Sequence, residues 1–128
     1  MELLDCEVNG GQFFGKTQKC YVLSSDKASW SQGRLNCQNQ KNGDLASIPN
    51  EETMNFIKQN INFVTSTWFG GKKESEGNWY WVDGSVWSYT QWTSGEPNVV
   101  GEAYAYFQQG KWQDDQYGTS SVPYLCQY

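Results

Sequence analysis

Four cysteines, Cys6, Cys20, Cys37 and Cys126, constrain this chain more than any other feature, because they reach from one end of its 128 residues to the other. Their number is even, no two form a Cys-x-x-Cys pair, and the chain contains no His that could join them around zinc. The set therefore predicts disulfides and an oxidising compartment, which means a secreted or extracellular protein. Four cysteines admit three pairings, and sequence spacing alone does not choose among them.

The absence of His also removes the commonest general base and the usual triad partner, so most hydrolase readings fall. A net charge of −5, with only nine scattered Lys and Arg residues, argues against a nucleic-acid backbone as partner. The acidic excess suits a bound cation, and it suits a solvated surface equally well. No apolar run approaches the roughly eighteen residues of a membrane span, so membrane insertion is not expected. Residues Met1 to Asp5 carry no signal-peptide apolar core, and Met1 is expected to mark an artificial start or the edge of a removed leader.

The length is that of one domain able to bury its own core, so a single domain over 1–128 is expected. Between Cys6 and Ser24 the turn signal Asn9-Gly10-Gly11 and the apolar run Lys19 to Leu23 predict an N-terminal hairpin at 6–24. Asp26 is placed to cap a helix from Lys27 to about Gln40, with Trp30, Leu35 and Cys37 on its buried side and Asn42-Gly43 as its stop. Asp44 to Ile48 alternates as a brief strand. Asn50 then caps a second helix, on which Met54, Phe56, Ile57 and Ile61 recur at near-helical spacing as core.

Beyond Asn62 the text changes to short β-like runs rich in Trp, Gly and Ser: 67–71, 78–82, 103–107, 110–112 and 123–126, with Asp83-Gly84 as a turn. Two helices followed by an antiparallel, turn-rich half make an α+β domain. Thr90 to Val100 fits neither helix nor strand, and a long irregular loop in a compact domain is more often functional than idle. The Trp residues at 68, 79, 81 and 92 are expected in the core and between sheets.

Trp68-Phe69-Gly70-Gly71, Glu76 to Gly84 (Glu-Gly-Asn-Trp-Tyr-Trp-Val-Asp-Gly), Trp92, Glu96-Pro97-Asn98 and Trp112-Gln113-Asp114, framed by Cys37 and Cys126, closely resemble the C-type lectin-like domain. The resemblance runs from Cys6 to Tyr128, and Cys6 with Cys20 resembles the long form of that domain. It implies two helices flanking two small antiparallel sheets, a long ligand-bearing loop, and the pairings Cys6 to Cys20 and Cys37 to Cys126. It also implies a calcium site built from Glu96, Asn98, Glu102, Gln113 and Asp114. Such carboxylates and amides are the hard oxygen donors that Ca2+ takes.

In the family a pair of neighbouring sugar hydroxyls completes the calcium shell, so the same residues, with Val99 beside them, are the implied sugar contacts. Glu-Pro-Asn accompanies mannose, N-acetylglucosamine and fucose arrangements, whereas Gln-Pro-Asp accompanies galactose. The Glu-Pro bond is usually cis in the family. Three departures stand out. Gln113 replaces the family's Asn, the loop between Asn98 and Glu102 is short, and Lys72 stands where an auxiliary calcium site would have Asp. The family's second disulfide would fall on Tyr104 and Tyr117, which are expected to fill that volume as a packed aromatic pair.

The function that the resemblance implies is calcium-dependent binding of mannose-type glycans on microbial or host surfaces, with several copies assembled for avidity. The alternative is a calcium-independent module of the same fold that recognises a protein or a surface such as ice, a reading that Gln113 favours. Catalysis is not expected. Asp114 and Asp115 are neighbours on an extended segment and point apart, and no apolar pocket is evident around either that would raise one for glycosidase work.

Overall fold

The structure, a computed structural model, describes residues 3–128. Helix α1, Leu3–Val8, is followed by β1, Gln12–Phe14, and β2, Lys19–Leu23. The expected hairpin is therefore β1 and β2 alone, and Cys6 sits on a short helix ahead of it. Asn9 and Gly10 end that helix through backbone bonds to Asp5 and Glu7, so the turn signal was right and the element before it was not. Cys6 is fully buried and bonded to Cys20, which ties α1 across the hairpin.

Helix α2, Trp30–Gln38, starts later than its sequence suggests. Ser29, in an extended conformation, takes the cap, and its hydroxyl accepts from the Gln32 N–H. Asp26 instead accepts the Tyr124 hydroxyl at 2.8 Å, which binds the entry of the helix to the last strand. Trp30, Gly33 and Cys37 face the core, while Leu35 is 51% exposed, contrary to its expected burial. Apolar character alone does not fix a face on so short a helix, where Gly33 provides the inward surface against the Tyr124 ring.

Strand β3, Asp44–Leu45, and helix α3, Glu51–Asn60, follow. Asn50 caps α3 as expected, accepting from the Thr53 N–H at 2.9 Å, and acidic residues in the first turn with Lys58 in the last suit the helix dipole. Met54 and Ile57 are buried from its inner side.

The remaining strands are β4, Thr67–Lys73; β5, Trp79–Trp81; β6, Ala103–Gln108; β7, Lys111–Asp115; and β8, Leu125–Gln127. They complete two antiparallel four-stranded sheets, ordered β1-β2-β8-β3 and β5-β4-β6-β7. In the first, β8 lies between β2 and β3, so the end of the chain is paired to its beginning. The Cys37 to Cys126 disulfide fastens α2 to this sheet across a separation of 89 residues, and in a loop-entropy account that closure is worth about 4 to 5 kcal/mol.

The sheets meet where β4 passes the exit of β3. Gly70 donates to the Ala46 carbonyl at 2.8 Å, and a Cβ there would lie 2.7 Å from that oxygen, so the crossing needs glycine. The second sheet carries the long irregular segment between β5 and β6. Its inner face is packed with Phe69, Trp81, Phe107 and Trp112, and Trp112 is completely buried.

Candidate functional site

The long segment between β5 and β6 is held by the sheet beneath it. Trp87, Tyr89 and Trp92 drop from it onto Trp112, with ring centroids 5.7 to 5.9 Å away. Trp79 joins through Trp92 at 4.9 Å and Trp81 through Trp87 at 4.4 Å. The backbone repeats the grip: Trp112 donates to the Gln91 carbonyl and Thr93 donates to the Trp112 carbonyl, both at 2.8 Å. Trp81 is thus core and Trp79 and Trp92 pack half-buried against it, in line with the expected packing role, and Trp68 is buried with its indole N–H on the Ala28 carbonyl. The contributions of Trp87 and Tyr89 were not anticipated, because isolated aromatics in a non-periodic segment carry no facing signal.

From Thr93 the chain turns through Gly95, at φ +90°, and Glu96 donates back to the Thr93 carbonyl at 2.9 Å. The Glu96-Pro97 bond is cis. Past it, the two oxygens of the buried Asp114 carboxylate accept successive backbone N–H groups, from Asn98 at 3.1 Å and from Val99 at 2.9 Å. Asp114, on strand β7, therefore holds the loop at its tip.

Beside it, the Glu96 carboxyl is pushed up to about 7 by its hydrogen bond with the Asp114 carboxyl, with burial and the like charge adding to the rise. Glu96 Oε2 is shielded from solvent and has no hydrogen-bond partner. Neighbouring carboxyls repel when both are ionised, and a shared proton or a bound cation relieves this. An unpartnered buried oxygen is costly, and a hard dication at this place would satisfy it and neutralise the pair. Asn98 stands next to them with its side chain exposed. The donor types and charge of Glu96, Asn98 and Asp114 thus fit calcium.

Glu102 and Gln113 are held elsewhere. Glu102 Oε2 lies 3.1 Å from Lys72 Nζ, which also reaches Glu74 Oε1 at 2.6 Å and stands 5.3 Å over the Tyr104 ring. Burial pulls the Lys72 ammonium down, but the hydrogen bonds to Glu74 and Glu102 more than offset this and hold it above its ordinary value. Gln113 alternates with Asp114 on β7 and takes the opposite face of the strand, where its Oε1 accepts the Tyr106 hydroxyl at 3.0 Å and its Nε2 donates to Gln108 at 2.9 Å. Among the described residues no group of three or more His, Cys, Asp or Glu is gathered in a way that could hold a metal ion. Val99 is half-buried beside the tip and Val100 is exposed.

Tyr104 and Tyr117 do not form the expected pair. Tyr104 packs on Trp30 at 5.1 Å and against the Cα side of Gly118, where a Cβ would lie 2.7 Å from the ring, whereas Tyr117 is 69% exposed. Tyr104 alone, with glycine behind it, fills the space. Asp83, read as a turn residue, is a hub: Ser47, Gln127, Lys19 and the Ser85 N–H all donate to it.

The model of the lectin C-type domain matches residues 26–128. The C-type lectin lectoxin-Lio3 of Erythrolamprus poecilogyrus is 37% identical over 92 residues, covering 67% of this chain and 56% of that protein. The chain spans about half the length of several curated relatives that it matches. Among solved structures, the carbohydrate-recognition domain of cow CD23, crystallised in the presence of a GlcNAc2Man3 oligosaccharide, superposes with a TM-score of 0.79 at 30% identity, covering 92% of each chain. A calcium-independent type II antifreeze protein superposes with a TM-score of 0.80 at 27% identity, covering 93% of this chain and 91% of that one. No helix among the described residues is long and apolar enough to cross a membrane. With its two disulfides, two antiparallel sheets and loop-borne Glu-Pro-Asn, this chain belongs to the C-type lectin domain family.

Proposed function

We propose that this chain is an extracellular, calcium-dependent lectin for mannose-type glycans, with Glu96, Asn98 and Asp114 as the centre of its site. The observation that carries the reading is the Glu96 carboxyl, which has an unpartnered shielded oxygen at the mouth of the loop and no cationic side chain among its neighbours, only the like-charged Asp114. A bound Ca2+ would supply a strongly polarising centre to which two neighbouring sugar hydroxyls could be drawn.

The chain's own residues then fix orientation. Asp114 keeps the backbone of Asn98 and Val99 in place through its two accepted N–H bonds, so the Asn98 amide is presented from a held loop. The Glu96 carboxylate can only accept from a sugar hydroxyl, whereas the Asn98 amide can also donate to one. That order of acceptor and donor is what discriminates equatorial 3,4-hydroxyls from the galactose arrangement. Val99 offers apolar contact beside it. Glu102, at the far end of the loop, contributes its remaining carboxylate capacity, and Gln113 supports the site from the reverse face of β7. A single domain would bind one sugar weakly, and several copies would give avidity.

The reading is tested by calorimetry with mannose and galactose, each with and without calcium. Heat with mannose that appears only with calcium supports it. Equal heat with chelator present, or none at millimolar calcium, contradicts it. A calcium-independent surface-binding role is favoured by one observation, the engagement of Gln113 and Glu102 by other partners. It has a precedent of fold in the antifreeze protein, and it predicts binding that survives chelation.

A further inference from the structure

The two lysines at the end of β4 are adjacent in sequence and alternate in direction, yet both reach the same loop. Lys72 Nζ lies 3.1 Å from Glu102 Oε2, where the loop returns to β6. Lys73 Nζ donates to the Val99 carbonyl at 2.8 Å, just past the loop's tip. Val99 is thereby gripped on both sides of one residue: its N–H goes to Asp114 and its carbonyl to Lys73. Lys72 is itself braced. Glu74 takes its second contact at 2.6 Å, Tyr80 donates to the same Glu74 oxygen at 2.6 Å, and the Tyr104 ring lies beneath.

The Lys72 side chain is only 13% exposed, which marks it as a fixed part of the surface rather than a waving one. These contacts are charge-assisted, and the one from Lys73 to the Val99 carbonyl is also partly buried; bonds of that kind are worth more than neutral ones. Apart from the two N–H bonds that Asp114 accepts, the loop has little else to hold it. Asn98, Val100 and Glu102 are exposed, Gly101 adopts φ +98° with no atom near its Cβ position, and no strand pairing covers residues 94 to 102.

We infer that Lys72 and Lys73 are positioning residues forming a built-in cationic clamp, which holds the loop from Val99 to Glu102 in its binding shape without a metal ion. The clamp concerns the same loop as the proposed lectin site and rests on that reading only for its purpose, since its existence is read out in the absence of calcium and sugar. It divides the loop's charges. Glu102 is paired from within the protein, through an ammonium it shares with Glu74, and the Glu96 and Asp114 pair is left for an external cation. Calcium would then enter a loop already shaped, and removing it would not unfold the tip.

Hydrogen exchange of the Asn98 and Val99 amides in the presence of excess chelator tests this directly, with the amides of β6 as a reference for the rest of the fold. The wild-type tip should be protected in chelator. Lys73→Met, which keeps the aliphatic stem, should speed exchange at these amides on the order of tenfold, the effect of losing a bond to a charged donor. Lys72→Met should act on the Glu102 side in the same direction, Lys72→Arg should restore protection, and Lys27→Met, at an exposed site, should change nothing.

A wild-type tip that exchanges freely in chelator and is protected only by calcium would overturn the clamp, as would Lys→Met variants as protected as wild type. Comparing β6 amides separates loss of the clamp from loss of the fold. Absence of calcium or mannose heat alongside a protected, lysine-dependent tip would sink the lectin reading and leave the clamp standing.

Discussion

The two acidic ends of the loop from Glu96 to Glu102 are built on opposite principles. At one end Glu96 lies against Asp114, so the charge is uncompensated and Glu96 is pushed up to about 7. At the other, Glu102 meets an ammonium that two carboxylates share. The difference teaches that a carboxylate in a ligand loop is not by that fact a metal ligand. What marks a cation site is acid whose charge the protein leaves uncompensated, and among the five residues that the family pattern singles out Glu96 alone keeps a shielded oxygen without a partner, beside an Asp114 carboxylate that is met by backbone N–H groups and no ammonium. Asp83 provides the control. It is a shielded acid whose needs are met by hydrogen bonds and the Lys19 ammonium, and it calls for no external cation.

The strongest way to break the comparison is to remove one member of the uncompensated pair. Glu96→Gln should weaken calcium binding by at least about 100-fold, since it deletes a charged ligand. The same substitution should raise the melting temperature of the calcium-free protein at neutral pH, because it removes a like-charge contact. Calorimetry and thermal unfolding in chelator read the two effects, and unchanged affinity or a lowered melting temperature would contradict the assignment.

Asp83 sharpens the contrast from the satisfied side. Burial raises its pKa, but the bonds from Ser47, the Ser85 N–H and Gln127 more than offset this and lower it to about 2 from an ordinary value of 3.8. A depressed acid stabilises the fold above its unfolded pKa, and that stabilisation is lost as pH falls through the folded one. Between pH 4 and 2 the protein should therefore lose about 2 kcal/mol on this account. Denaturant titrations of Asp83→Asn should show a flatter acid limb than wild type, and an unchanged limb would show that the hub does not bear on stability.

Specificity provides a smaller test. Glu96→Gln with Asn98→Asp reverses the acceptor and donor order, and the ratio of mannose to galactose binding should fall by roughly tenfold or more, in line with one well-placed polar group. An unchanged ranking would remove direct hydroxyl discrimination from the account. The smallest effect is expected at Gln113. Because its amide is bound to Tyr106 and Gln108 on the reverse face of β7, Gln113→Ala should leave calcium affinity within about threefold, as surface substitutions away from a site do. A loss comparable to Glu96→Gln would place Gln113 in the metal shell after all.

Much of this was legible in the chain. The α3 cap at Asn50, its buried Met54 and Ile57, the disulfide pairing and the Glu96-Pro97 turn all carry local signals, or motifs, that survive folding. Asp26 and Leu35 were misread because capping and burial on α2 are decided by what Tyr124 brings from the other end of the chain, about 100 residues away. Tyr117 was misread for a similar reason: the pocket expected to hold two tyrosines is closed by Trp30 and Gly118 around one. Within the site, the Glu96 and Asp114 pairing followed from the motif. The Lys72 and Lys73 contacts did not, because a strand's two faces and a loop's path must both be known before two neighbouring lysines can be seen to converge.

The central claim is that Glu96 and Asp114 form an acid pair awaiting a dication, and a calcium titration of wild type beside Glu96→Gln, followed by heat and intrinsic Trp fluorescence, tests it most directly. The account predicts saturable binding in the range of extracellular calcium for wild type, with a change in Trp emission from the cluster under the loop, and neither signal in the variant. Equal calcium binding by the two proteins, or none by wild type at millimolar concentrations, would contradict it.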